Sequence, residues 1–479
     1  MKTCLAIDQG TTGTKAYRIG ADGRMELVGR RTHRQILPAP GWVEHDAEEI
    51  LRHIEELIAD AGPVNAVTLA NQGETVVAWD ARTGTPIGPA IVWQDTRTRD
   101  VVTRMKDEGL EPEVMARSGL PLDCYFSASR LRWYLDHVPQ ARDLHAQGWL
   151  RLGTSDAFFL DRLCGVFATD ITTASRTSLM NLRTGEWDET LCRLFGVPVD
   201  CLPAIRPTVG DFGQLRASGV PVRVSVVDQQ AALYGHGLQK PGDVKITFGT
   251  GAFALALAGT EACLEAGAGI LPTVAWQFAG QPAIYALEGG VLTAGAAVNW
   301  VEGLGPAFSC ADPALLAASS AAEKGVFFLP ALQGLGCPWW EREARGSWAG
   351  LGLDTRPQDM ARAVLEGIAF RSVQLVQAFV SATGQAASRV SVDGGLANNA
   401  WFTQFLANCL GMPVHVPEQV DVTAAGLGRF WRESEGLMQA DTGDAGWSVV
   451  SPRPVGKEAR WQGRFDHLTR QAVEWAAKS

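Results

Sequence analysis

Short apolar runs, broken by glycine–threonine and glycine–aspartate turns, open the chain. Leu5–Asp8 reads as a buried strand, Lys15–Ile19 and Met25–Arg31 as two more, with Gly20-Ala21-Asp22-Gly23 as the turn between them. The pattern then becomes helical. Asp46 stands three residues before Glu49, a capping-box spacing, and Ile50, Leu51, Ile54, Leu57 and Ile58 share one face of a helix that Gly62 ends. Val64–Leu69 returns to strand. Three hairpin-like strands followed by helix and strand predict an α/β domain with a mixed sheet.

The same order begins again in the second half. Val222–Val227 is an apolar strand ending at Asp228, and Asp243–Phe248 runs into Gly249-Thr250-Gly251 before resuming at Ala252–Leu257. Strand, Gly/Thr turn, strand therefore occurs twice. The repeat predicts two related domains, residues 1–237 and 238–479, divided near Gly235–Pro241. Further on, a helix is predicted from about Gln358 to Thr383, closed by Gly384. The strand Val390–Asp393, the Gly394-Gly395 turn and a helix from Asn399 to Leu410 follow. Such a strand–turn–helix unit brings backbone amides and a helix N-terminus to phosphate or nucleotide groups.

Composition narrows the class. A chain of 479 residues, 46% hydrophobic and 20% charged, is a folded protein too long for one ordinary core. The net charge of −10 argues against a nucleic-acid partner. Nine scattered cysteines without a C-x-x-C pair fit reduced thiols rather than a disulfide frame or zinc site. The N-terminus enters a strand without a signal-like apolar region, and no window reaches the uninterrupted apolar length of a membrane span. The expectation is a cytoplasmic protein with no membrane and no nucleic-acid partner.

Three segments carry candidate chemistry. In Asp8–Lys15, Gly10 and Gly13 permit close backbone approach, and Thr11, Thr12 and Thr14 add hydroxyls. Lys15 would neutralise terminal phosphate charge, and Asp8 would hold Mg²⁺ through water. The segment is not a Walker A loop, and a plain hairpin is the competing reading. Gly249-Thr250-Gly251 alone is only a turn; facing the first, it makes a clamp for a nucleotide polyphosphate, with Gly394-Gly395 against the adenine. Asp228, at a strand end beside a domain crevice, is placed as base for an alcohol, although such an Asp taken singly is usually a helix cap.

These segments, with others, carry a resemblance. Gly41–Asp46, Ile91-Val92-Trp93-Gln94, Asp170–Asn181 with Ala174-Ser175-Arg176-Thr177, Asp228–Leu233, Phe248–Gly251, Gly336–Trp340 and Val392–Gly395 occur in order over nearly the whole chain. The chain resembles the FGGY family of carbohydrate kinases, nearest to its glycerol kinase members. The resemblance implies an α/β fold of two ribonuclease-H-like domains, as in actin-like ATPases, with the active site in the cleft between them. It implies ATP and Mg²⁺, a small polyol or sugar as partner substrate, and a homodimer. Carried over by position, Thr12, Lys15, Gly249 and Thr250 would contact phosphates. Gly295 and Asn299 would border the nucleotide, Gly395 and Asn399 would approach adenine, and Asp8 and Asp228 would flank the metal. His45 and His236 sit near matched segments and read as structural.

For the acceptor, the resemblance implies a pocket of Glu74, Trp93, Tyr125, Asp228 and Phe253, with Asp228 catalytic. One departure stands out. The family's Asn-Gln-Arg-Glu-Thr segment reads Asn71-Gln72-Gly73-Glu74-Thr75 here, so the Arg is replaced by Gly73. Lost charge-assisted hydrogen bonds, each worth roughly 1.5–3 kcal/mol, would weaken glycerol, and the missing side chain predicts an enlarged pocket. Lys15 and Asn299 also stand where glycerol kinases have Arg and Gln. The expected reaction is ATP-dependent phosphorylation of a primary hydroxyl, glycerol to glycerol 3-phosphate. Two readings compete with it: a kinase of a four- or five-carbon polyol or ketose, erythritol- or xylulose-like, and a nucleotide-binding sensor on the same scaffold.

Overall fold

The computed structural model describes residues 2–265, 267, 269–311, 320–418, 421–438 and 446–478. In the first half, β1 (Thr3–Gln9), β2 (Gly13–Gly20) and β3 (Met25–Thr32) form an antiparallel meander. Helix α1 (Ala47–Ala61) then leads to β4 (Ala66–Asn71), which pairs parallel to β1, and β5 (Val222–Val227) pairs parallel to β4. The sheet order is β5-β4-β1-β2-β3. Asp46 caps α1 by accepting from Glu48 N and Glu49 N, and the left-handed Gly62 (φ 63°) closes it. The predicted apolar stripe is its buried face: Ile50, Leu51, Ile54 and Leu57 are at most 2% exposed. Each such side chain contributes about 1.5–3 kcal/mol of burial.

Helix α2 (Asp228–Gly235) leaves β5. The second half then runs through β6 (Asp243–Phe248), β7 (Ala252–Gly259), β8 (Leu271–Trp276), β9 (Ile284–Val291) and α3 (Gly295–Glu302). It continues with α4 (Pro357–Thr383), β10 (Arg389–Gly394), α5 (Ala400–Leu410), β11 (Val414–Pro417), α6 (Val422–Ser434) and β12 (Trp447–Val450). Its sheet order is β8-β9-β7-β6-β10-β11-β12. Within it, β9-β7-β6-β10-β11 repeats the first sheet: three antiparallel strands, then two parallel to the first of them. The repeat seen in the two Gly/Thr turns is a whole ribonuclease-H-like sheet.

Two further features position the site. Between β4 and β5 lies a lobe with strands 76–80, 90–91 and 150–154, completed to a four-stranded sheet by strand 44–45 from before α1, and the helix Ser127–His137, packed on its own core around Leu131, Tyr134 and Leu152. The second half also reaches back to the first. Helix α6 crosses α2 so closely that a Cβ on Gly426 would lie 1.9 Å from Ala231 O, and one on Gly235 would lie 2.2 Å from Val422 O. Only glycine allows that approach. Helix α4 meets the length and mean hydropathy of a membrane span, but charged residues interrupt it and 83% of its most apolar window is buried inside the fold. It is the spine of the second core.

Candidate active site

Parallel pairing aligns the C-terminal ends of β1, β4 and β5. The register sets Gln9 against Asn71, and Asn71 against Val227. Asp8, the Gly73-Glu74 segment and Asp228 therefore emerge side by side, where open α/β sheets bind ligands. The Gly10–Gly13 turn is closed by Gly10 N donating to Gly13 O at 3.0 Å, and Thr12 projects outward, exposed. Lys15 lies opposite Asp8 on the neighbouring strand. Its ammonium is not free: Asp421, at the start of α6, accepts from both Lys15 Nζ and Tyr17 OH.

The second turn sits on the other half. Gly249 N donates to Gly251 O at 2.9 Å, while Gly295 N and Ala296 N donate to Gly249 O and Thr250 O. The first turn of α3 thus rests on the Gly/Thr turn, and the exposed Asn299 follows one turn later. Phe248 is paired with Gly394, which brings Gly395 alongside. Gly394 has φ 88°, and a Cβ there would meet Phe248 O at 2.2 Å; around Gly395 there is open space. Asn399 spends its side-chain oxygen capping α5, accepting from Trp401 N and Phe402 N at 3.1 Å each. The histidines are structural in geometry: His236 joins α2 to Ser391 and Asp393 of β10, and His45 contacts Gln72.

Gly73, Glu74, Trp93, Asp228 and Phe253 line one cavity of ≈ 210 Å³, together with Thr11, Arg176, Val227, Gln229 and Glu288. Tyr125 borders the adjoining space with Trp93 and Phe253, its ring edge-on to Trp93 at 5.8 Å. Trp93 Nε1 donates to Thr11 Oγ1 at 2.9 Å, which ties this cavity wall to the first Gly/Thr turn. Glu74 adopts φ 48°, a rare conformation for a side-chain-bearing residue, and is over-determined by its neighbours. Its carbonyl accepts from Ser127 Oγ at 2.9 Å and Arg130 Nη2 at 3.0 Å, and its carboxylate accepts from Arg176 Nε at 2.7 Å. Buried Arg130 also donates to the carbonyls of Val92 and Tyr125. One guanidinium thereby positions the three segments that deliver Glu74, Trp93 and Tyr125.

Gly73 lines this cavity, with a close apolar neighbour on one side. A Cβ at position 73 would lie 3.1 Å from Val227 Cγ1, so the Val227 side chain stands beside the glycine on the cavity wall.

Burial governs the charges. Asp228 is raised to about 7, first by burial and then by the charge of Asp8. Burial likewise raises Asp8 to about 6, against the opposing charge of Lys15. Glu74 is raised by burial, although Arg176 pulls it down. Burial works against the charge of Arg176, yet Glu288 and Glu74 hold it firmly protonated.

Residues 3–235 match the N-terminal domain of the FGGY family of carbohydrate kinases, and residues 244–427 match its C-terminal domain. The chain belongs to the FGGY family. It is similar to the glycerol kinase of Geobacter sp. (strain M21), 42% identical over 464 residues, which cover 94% of this chain and 93% of that protein. It is also similar to the glycerol kinase of Thermus brockianus, 41% identical over 487 residues covering 99% and 96%. Among solved structures, Plasmodium falciparum glycerol kinase with ADP has a TM-score of 0.90 at 27% identity, covering 99% of this chain and 98% of that one. This FGGY kinase is an ATP-dependent phosphotransferase with an alcohol acceptor, built on two actin-like halves.

Sequence reasoning left several residues of this FGGY site unassigned. Arg176 lay inside a segment quoted for the resemblance, without a role. Glu288 had a signal, a lone carboxylate in the apolar strand β9. Arg130 and Val227 had none, because each acts on groups far away in the chain.

Proposed function

We propose that this kinase transfers the γ-phosphoryl group of ATP to a primary hydroxyl of glycerol, giving glycerol 3-phosphate, with Asp228 as the base. The observation that carries the reading is the convergence of Asp228, Glu74, Trp93 and Phe253 on one small cavity at the aligned strand ends. A base is most effective with a pKa near the working pH, and burial brings Asp228 to about 7. Trp93 and Phe253 flank the acceptor's carbon chain, and Glu74 accepts from its hydroxyls. We assign residues 1–237 to the acceptor domain and 238–479 to the nucleotide domain. Thr12 and Lys15 would meet the phosphates from one side, and Gly249 and Thr250 from the other. Gly295, Asn299, Gly395 and Asn399 would border the nucleoside.

Asp8 and Asp228 fit a magnesium ion. They are hard oxygen donors at aligned strand ends, and after burial it is the charge of Asp8 that raises Asp228, a repulsion that a cation would relieve. Held there, the metal would neutralise charge on the phosphoryl oxygens, the main electrostatic task in phosphoryl transfer. Asp228 receives the hydroxyl proton as the acceptor oxygen attacks phosphorus and ADP leaves. The lobe and the second half enclose the acceptor and limit ATP hydrolysis by water.

Val227 narrows the space beside Gly73, which favours a short acceptor over a four- or five-carbon one. A nucleotide sensor would not require this cavity. An ATP-consumption screen with glycerol, erythritol and xylulose tests the reading. Glycerol is expected to give the highest kcat/KM; preference for a longer acceptor, or ADP binding with no turnover on any, would overturn it.

A further inference from the structure

At the floor of the acceptor cavity, three charged side chains from both halves meet. Arg176 follows the short helix Ile171–Ala174, whose N-cap Asp170 accepts from Thr172 N and Thr173 N. Its Nε donates to Glu74 Oε1 at 2.7 Å, and its Nη2 lies 2.9 Å from Oε2 of Glu288 on β9. The guanidinium carbon stands 5.8 Å from the Tyr125 ring centre and 5.5 Å from that of Phe126. The residue is 1% exposed. Even so, Nη1 has no hydrogen-bond partner among the described residues, and Nη2 meets Glu288 as an ion pair without hydrogen-bonding geometry.

That combination is costly unless something completes it. A buried guanidinium has five donors, and each one left unmade carries a desolvation penalty. The cavity that Arg176 lines is where those donors can be used. Glu74 and Glu288 beside it are acceptors only while charged. A vicinal diol offers both halves of the match, with hydroxyl oxygens to accept from the guanidinium and hydroxyl hydrogens to donate to the carboxylates. Position 73, on the same cavity, carries no side chain here.

Resting on the glycerol reading above, we propose that Arg176 is the guanidinium that holds the acceptor: Nη1 and Nη2 donate to the hydroxyls remote from the transferred phosphoryl group. Arg176 then contacts substrate, whereas Arg130 positions the surrounding loops. Because Glu288 comes from the second half, the acceptor's hydroxyls also complete a polar bridge between the halves.

The test compares wild type with Arg176→Lys, which keeps a cation between the two carboxylates and loses the fork. Glycerol, 1,2-propanediol and 1,3-propanediol are the acceptors, with ADP affinity and the melting temperature as controls. In wild type, removing one hydroxyl is expected to lower kcat/KM at least about 10-fold, since it leaves a buried donor unpaired. In Arg176→Lys the KM for glycerol is expected to rise about 10- to 100-fold, ADP affinity to stay unchanged, and the deoxy penalty to shrink to a few-fold. A folded variant that binds ADP and keeps the wild-type glycerol-to-propanediol ratio would overturn the proposal. If the variant does not fold, the crystal structure of the wild-type enzyme with glycerol decides. A glycerol oxygen within about 3.2 Å of Nη1 or Nη2 supports it, and none within about 4 Å refutes it. Glycerol bound at Arg176 but never phosphorylated would sink the functional reading alone; turnover of glycerol with no dependence on Arg176 would sink this proposal alone.

Discussion

A Cβ on residue 73 would lie 3.1 Å from Val227 Cγ1 and 3.5 Å from its Cγ2, so the two positions share one volume. Restoring the family's arginine by Gly73→Arg is therefore expected to destabilise the protein by about 1–3 kcal/mol through overpacking and to raise the KM for glycerol. Adding Val227→Ala should recover most of the lost stability. Thermal melts and acceptor kinetics on the three variants check this coupling; additive single effects would show that the positions are independent. The Val227 neighbour of Gly73 was not legible, because side-chain volume is shared between residues far apart in sequence. Asp228, Glu74, Trp93 and Phe253 were legible by their matching segments, and the structure gathers them on one cavity. Arg130 was not. Three backbone carbonyls, those of Glu74, Val92 and Tyr125, call for that guanidinium, and carbonyl positions leave no mark in a residue pattern.

At the scale of elements, α2 matters most because it starts with Asp228. Its crossing with α6 depends on Gly235 and Gly426, where a methyl group would strike backbone rather than a movable side chain. Gly426→Ala is expected to push the helices apart, lower the melting temperature by several degrees and reduce kcat more than ADP affinity. Unchanged kcat in a folded Gly426→Ala protein would show that the crossing does not hold Asp228 in place. The strands β1–β3, the helix α1 with its Asp46 cap, and α4 closed by Gly384 were readable because local periodicity and caps determine them. The α2–α6 crossing was not, since close backbone approach makes a glycine look like any other helix-weakening residue.

At the scale of the whole molecule, one sheet pattern is used twice, and each copy offers a Gly/Thr turn after its first strand. The turn at Gly249–Gly251 was readable only as an echo of the one at Gly10–Gly13. The pairing of Lys15 and Tyr17 with Asp421 shows the cost of reading the halves separately, because a residue of the second half engages the cation of the first phosphate turn. The cavity lies where the halves meet: Asp228 and Glu74 stand at the end of one sheet, and Phe253, Glu288 and the second Gly/Thr turn stand on the other. The central claim is that Asp228 takes the proton from glycerol during phosphoryl transfer. The most direct test is the rate of glycerol 3-phosphate formation from ATP and glycerol by wild type and Asp228→Asn, alongside their ADP affinities. A fall in kcat of about 10²–10⁴-fold with ADP affinity within a few-fold is predicted; retained turnover in Asp228→Asn would contradict the account.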